Sequence, residues 1–178
     1  TRRRWIWWAA AAASLIVAAG FFYQRSRYNE VSVIGRLTRL AGQVSVERDG
    51  LVDDAERELN LCSGATVRVE GLAGLARLHF DDGTEISLSG ETQLTCIRED
   101  GQIQLTLRRG QLTADVAPQP TGSPLTIRTS NAEMEVLGTR LVVSNEQGVS
   151  ELGVHYGRVR IRRFTDGKTI DVEGGQYA

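Results

Sequence analysis

The sequence is poor in the side chains that hold metals or attack carbonyl carbons. Its 178 residues include two histidines, His79 and His155, and two cysteines, Cys62 and Cys96. Neither C-x-x-C nor H-x-x-x-H spacing occurs, so no metal site is read from them. No serine or cysteine can be tied to either histidine as nucleophile and base. The chain also lacks a G-x-x-x-x-G-K-[ST] phosphate loop, a G-x-S-x-G elbow and an N-x-[ST] acceptor. No catalytic residue, metal ligand or cofactor is therefore assigned. An excess of positive charge is missing as well. There are 21 basic and 22 acidic residues, but Arg2, Arg3, Arg4, Arg25 and Arg27 all precede the first acid, Glu30. From residue 28 onward the count is 16 against 22, which excludes a sequence-independent nucleic-acid binder, because neutralising phosphates needs surplus Lys and Arg.

What is present first is apolar. Trp5 to Tyr23 runs for 19 residues without a charge, and at helical rise it spans roughly 28 Å, close to the hydrocarbon thickness of a bilayer. Arginines and tryptophans stand at its start and Phe21, Phe22 and Tyr23 close it, matching an interfacial belt at each end. Positive charge before the run places the following body outside the cytoplasm. An export signal reads similarly, with Ala18-Ala19-Gly20 as a cleavage site. The aromatic collar on both flanks favours a retained anchor. The expected organisation is a transmembrane anchor with basic flanks over 1–27, a linker over 28–39 and a single domain over 40–178.

No helical periodicity persists in that body, whereas alternation of period two recurs between glycine-containing turns. The fold class is mainly β: a compact stack of short antiparallel strands, either β-solenoid-like or a two-layer β-sandwich. Val52 to Leu61 reads as a short helix or irregular loop, and Pro118, Pro120 and Pro124 mark a loop over 117–124. Turn chemistry predicts registers. A two-residue loop at Asp100-Gly101 sets Cys96 opposite Leu105, and a three-residue loop at Asp81-Asp82-Gly83 sets Leu78 opposite Ile86. A two-residue loop at Asp166-Gly167 would set Ile161 opposite Val172, Arg162 opposite Asp171 and Arg160 opposite Glu173.

Several clusters invite chemistry and have simpler explanations. Arg158, Arg160 and Arg162 share one strand face and could hold an anionic polymer, but acids are predicted across the hairpin. Asp53/Asp54, Glu56/Glu58 and Asp81/Asp82 offer paired carboxylates of the kind glycosidases need, yet aspartate before glycine is what tight turns favour. Cys62 and Cys96 are read either as a disulfide, permitted in an oxidising envelope, or as two buried thiols.

Through the body runs an ordered series of motifs: Gly42-x-Val44-x-Val46; Gly64-Ala65-x-Val67; Phe80-Asp81-Asp82-Gly83-Thr84-x-Ile86-x-Leu88; Leu107-Arg108-Arg109-Gly110-x-Leu112; Pro124-Leu125-x-Ile127-x-Thr129; Val136-Leu137-Gly138-Thr139; Gly157-x-Val159; and Gly175-Gln176. In this order they resemble the FecR family, the periplasmic domain of transmembrane sigma-factor regulators of the anti-sigma type. The resemblance implies a single-pass inner-membrane protein whose outer domain senses an envelope partner, often an iron-siderophore receptor of the outer membrane, and whose cytoplasmic part holds a sigma factor. Only four residues precede the apolar run, so the sigma-binding segment is missing and no sigma-contacting residue is carried over. The alternative is an envelope scaffold or glycan-binding module without sigma-factor signalling.

Overall fold

The computed structural model describes residues 32–178. The apolar run Trp5 to Tyr23 and its flanks lie outside the described residues. Within them the chain forms thirteen strands and no helix: β1 (Val33–Arg48), β2 (Leu51–Asp54), β3 (Asn60–Cys62), β4 (Thr66–Phe80), β5 (Glu85–Ser89), β6 (Thr92–Glu99), β7 (Gln102–Asp115), β8 (Leu125–Arg128), β9 (Ala132–Val136), β10 (Arg140–Glu146), β11 (Val149–Tyr156), β12 (Arg158–Arg163) and β13 (Thr169–Glu173). No helix long and apolar enough to cross a membrane is found among the described residues.

Pairing divides into two runs that share β1, β4 and β7. One run is β3, the first half of β1, the second half of β4, β5, the second half of β7, β10 and β11. The other is β2, the second half of β1, the first half of β4, β6, the first half of β7, β8, β9, β12 and β13. Each run turns alternate side chains into one shared core that includes Leu37, Phe80, Leu88, Leu94, Leu107 and Leu125. The architecture is thus one continuous 13-stranded sheet whose two runs close on a single core. All pairs are antiparallel except β7 with β8, which are parallel. The proline loop before β8 lets the chain cross over instead of turning back as a hairpin.

The three shared strands pass from one run to the other at glycine corners. In β7, Leu105 and Leu107 are buried, then Leu112 and Ala114, so burial switches from odd to even positions across Arg108-Arg109-Gly110. Gly110 makes the switch possible: its φ is 87°, and a Cβ there would lie 2.6 Å from the Cα of Thr92 and closer still to its hydroxyl. In β1 and β4, Gly42 stands alone opposite the four residues Gly71 to Gly74, because Ala41 pairs Leu75 while Gln43 pairs Glu70. The bend extrudes Leu72, which is 93% exposed.

Several expectations need correction. Residues 33–39, read as linker, belong to β1, and Val52 to Leu61 holds β2 and β3 instead of a helix or plain loop. The Asp166-Gly167 loop has four residues, not two. Arg160 therefore faces Asp171, Ile161 faces Ile170 and Arg158 faces Glu173. Phe164 supplies the reason. Its N–H donates to the carbonyl of Asn131 (2.9 Å), its ring lies under the guanidinium groups of Arg128 and Arg162, and Asp166 clamps Arg163 from inside the loop. The two-residue slip keeps every side chain on its expected face. The hairpins at Asp100-Gly101 and Asp81-Asp82-Gly83 have the expected registers.

Candidate interaction surface

The motif residues are fasteners. Asp82 accepts the backbone N–H of Thr84 (2.9 Å), the Thr84 hydroxyl (3.1 Å) and the side-chain amide of Gln119 (2.8 Å). Thr84 is fully buried, and its hydroxyl oxygen accepts the N–H of Ala117 (3.2 Å). With Gly83 in the left-handed region, the Asp-Gly-Thr turn ties the β4–β5 hairpin to the proline loop. Gly138 packs on Pro118, and Gly157 approaches the carbonyl of Gly138 so closely that a Cβ would sit 2.8 Å from it. The buried Thr139 hydroxyl donates to the carbonyl of Arg158 (3.0 Å). Gly64 donates its N–H to the carbonyl of Cys96 (2.8 Å), and Gly175 donates to Val154 (2.7 Å). Gln176 accepts the N–H of Glu173 through its side chain (3.0 Å). Gly42 and Gly110 make the corners. Each of these residues solves a local problem of turn geometry or of a buried donor.

The other candidates are also accounted for locally. Arg158 and Arg160 pair with Glu173 (3.0 Å) and Asp171 (3.1 Å), and Arg162 reaches Glu133 (2.7 Å), which also takes Arg128. This ladder neutralises the arginine row. Asp81 pairs with Arg98 (3.6 Å) and Glu58 with Arg36 (3.9 Å), while Asp53 and Asp54 stand exposed on the edge strand β2. Asp53, Asp54 and Glu56 border one groove, which Asp81 and Asp82 do not line, and among the described residues no group of three or more His, Cys, Asp or Glu side chains is placed to hold a metal. Cys62 and Cys96 are free, buried thiols, and burial pushes the Cys96 thiol up to about 12. Trp5 and Tyr23 lie outside the described residues.

One buried polar residue gives no signal in the sequence. Asn145 donates its amide to the carbonyls of Leu107 (3.0 Å) and Arg108 (2.8 Å), satisfying the β7 corner from β10. Its oxygen accepts the hydroxyls of Ser130 and Ser150. Nothing local distinguishes it from a surface asparagine before the turn at Gln147-Gly148.

A groove of about 660 Å³ lies on the outer face of the first run, bordered by Gln111, Val142, Ser144, Glu151, His155 and Tyr177. The chain end positions Tyr177: Val154 donates to the carbonyl of Gln176 (3.0 Å), and Leu152 and Ala178 exchange both backbone hydrogen bonds (2.8 and 2.9 Å). The tyrosine ring then sits over Gly153, where a Cβ would lie 2.9 Å from ring carbon Cε1. It remains 82% exposed.

Fastened turns and a single packed core define a stapled all-β module. The family model described as FecR protein matches residues 67–160, more than half the chain. The chain belongs to the FecR family. Two crystal structures of a candidate anti-sigma factor from Parabacteroides distasonis ATCC 8503, at 2.50 and 1.65 Å resolution, align with it at 19% identity and TM-scores of 0.48 and 0.46. Each alignment covers 62% of this chain and 60% of the solved one, so the chain spans about three-fifths of the length of those proteins. No curated protein matches it.

Proposed function

We propose that this protein is a membrane-anchored regulator whose FecR-family body lies outside the cytoplasm and relays an envelope signal, with iron-siderophore uptake the first to test, to a sigma factor inside. The observation that carries this reading is the FecR match over residues 67–160, in a chain whose uncharged run Trp5 to Tyr23 is long enough to cross a bilayer once. A lone helix joined to one outer domain reports by moving, by changing its association or by being cut, and a ligand shifts such an equilibrium only through differential affinity. The sigma factor would be met on the cytoplasmic side of the apolar run, and an outer-membrane receptor on the outer side.

Two measurements on the full-length protein in its native bacterium test this. An alkaline phosphatase fused after Ala178 should be active, as it is only outside the cytoplasm, and a tagged copy drawn from membranes should bring a sigma subunit with it. An inactive fusion would overturn the topology. Failure to recover any sigma subunit, together with unchanged transcripts after deletion in iron-limited cells, would overturn the regulatory reading.

A further inference from the structure

We propose that the groove beside Tyr177 binds a neutral oligosaccharide strand, with the tyrosine ring as its stacking surface. Most of the residue is in solvent, while its backbone is held by hydrogen bonds on both sides and the missing side chain of Gly153 lets the ring lie against the sheet. The backbone that carries this aromatic face is therefore ordered before any ligand arrives, which lowers the cost of binding. Such a placement contributes little to the core and much to a ligand with a flat C–H face.

The surface leading away from the ring has the matching shape. Gly153 pairs Val142, Val142 pairs Thr113 and Thr113 pairs Ser87, so a band of short side chains crosses four strands on the outer face. Successive strands lie about 4.8 Å apart, close to the advance per sugar of a β-linked glycan. Beside the band, Gln111 pairs Ser144 and Ser144 pairs Glu151, which supplies a parallel row of hydrogen-bonding groups. The groove lining includes no lysine or arginine; its titratable side chains are the Glu151 carboxylate, the His155 imidazole and the Tyr177 phenol. With no permanent positive charge to meet an anion, the lining suits hydroxyl and amide groups better. A peptide, by contrast, would gain most by adding to a strand edge through its backbone, whereas this groove offers side chains on a sheet face. The inference does not rest on the sigma-factor reading.

The test is calorimetric titration of the full chain in phosphatidylcholine nanodiscs, free of sugar-headed detergent. The probes are the hexamer of β-1,4-linked N-acetylglucosamine, cellohexaose and a neutral Gly/Ser/Gln hexapeptide. At least one hexasaccharide should bind saturably. Tyr177→Ala should weaken it about tenfold, Tyr177→Phe should retain it, and Tyr156→Ala, an exposed tyrosine outside the groove, should leave it unchanged. Gly153→Ser, which displaces the ring without removing it, should weaken it too. Binding of neither hexasaccharide at millimolar concentration, binding of the peptide alone, or equal sugar affinity in the wild type and Tyr177→Ala would overturn the proposal.

Discussion

Gly110 and Gly101 lie on or beside the same strand with nearly the same backbone, φ 87° and 80°, yet alanine should affect them very differently. Both substitutions place a Cβ in the left-handed region, at about 1–2 kcal/mol, and both recover about 0.4–1 kcal/mol by restricting the unfolded chain. At Gly101 nothing lies within 4 Å of the new carbon, so the net loss should be near 1 kcal/mol. At Gly110 the carbon meets Thr92, whose buried hydroxyl accepts the N–H of Gln111 at 3.0 Å. Forced repacking adds about 1–3 kcal/mol and the lost hydrogen bond about 1 kcal/mol, for a total of about 3–5 kcal/mol. With a urea slope of about 2 kcal/mol per molar, the midpoints of the two variants should differ by about 1–2 M. The assay should follow far-UV circular dichroism, because all three tryptophans, Trp5, Trp7 and Trp8, precede the body. Removing the Thr92 hydroxyl should not rescue Gly110→Ala, since the Thr92 Cα is itself 2.6 Å away. Coincident midpoints for Gly101→Ala and Gly110→Ala would refute the idea that close approach, and not turn geometry alone, fixes the corner.

Asp166 is held down to about 2, first by the Arg163 side-chain hydrogen bonds and then by the Lys168 N–H. A carboxylate depressed in the folded state stabilises it above the unfolded pKa and loses that contribution as pH falls through the folded one. Its carboxyl carbon should therefore titrate near pH 2 by NMR, and a midpoint near 4 would contradict the clamp. Cys96 is completely buried, with its thiol pushed up to about 12, so iodoacetamide at pH 8 should label it only in denaturant; native labelling at the rate of a free thiol would show the core to be open. Thr84→Val keeps the volume but leaves the Ala117 N–H without its acceptor. It should lower stability by about 1–3 kcal/mol in urea unfolding, and a loss under 0.5 kcal/mol would mean water replaces the hydroxyl.

Sequence pattern revealed the strands that alternate cleanly and hid those whose alternation is broken. In β1, bulges between Val33 and Gly35 and between Leu37 and Arg39 destroy period two, so its first half resembles a linker. All four residues of β2 are exposed, and an edge strand with no buried face encodes no alternation at all. No single alternation runs through β4 or β7, because their corners reverse which parity is buried. Asp-Gly pairs locate turns well, but loop length depends on partners elsewhere: Phe164 answers to Asn131, Arg128 and Arg162, none of which is a neighbour in the hairpin.

The residues that identify this fold are not those that a ligand would touch. Asp82, Thr84, Gly138, Thr139, Gly157 and Gln176 are recognisable in sequence because each is tied to a turn a few residues long, where geometry restricts the residue type severely. The polar side chains among them are taken up by hydrogen bonds within the fold and so offer little to a ligand. The groove is drawn from β7, β10, β11 and the chain end, brought together only by strand pairing, and its side chains are under no comparable constraint from the backbone. A module of this kind can hold its staples fixed while its outer face varies. Recognition should therefore be sought in positions such as Gln111, Ser144 and Tyr177, whose replacement ought to change binding while leaving the unfolding midpoint almost where it was.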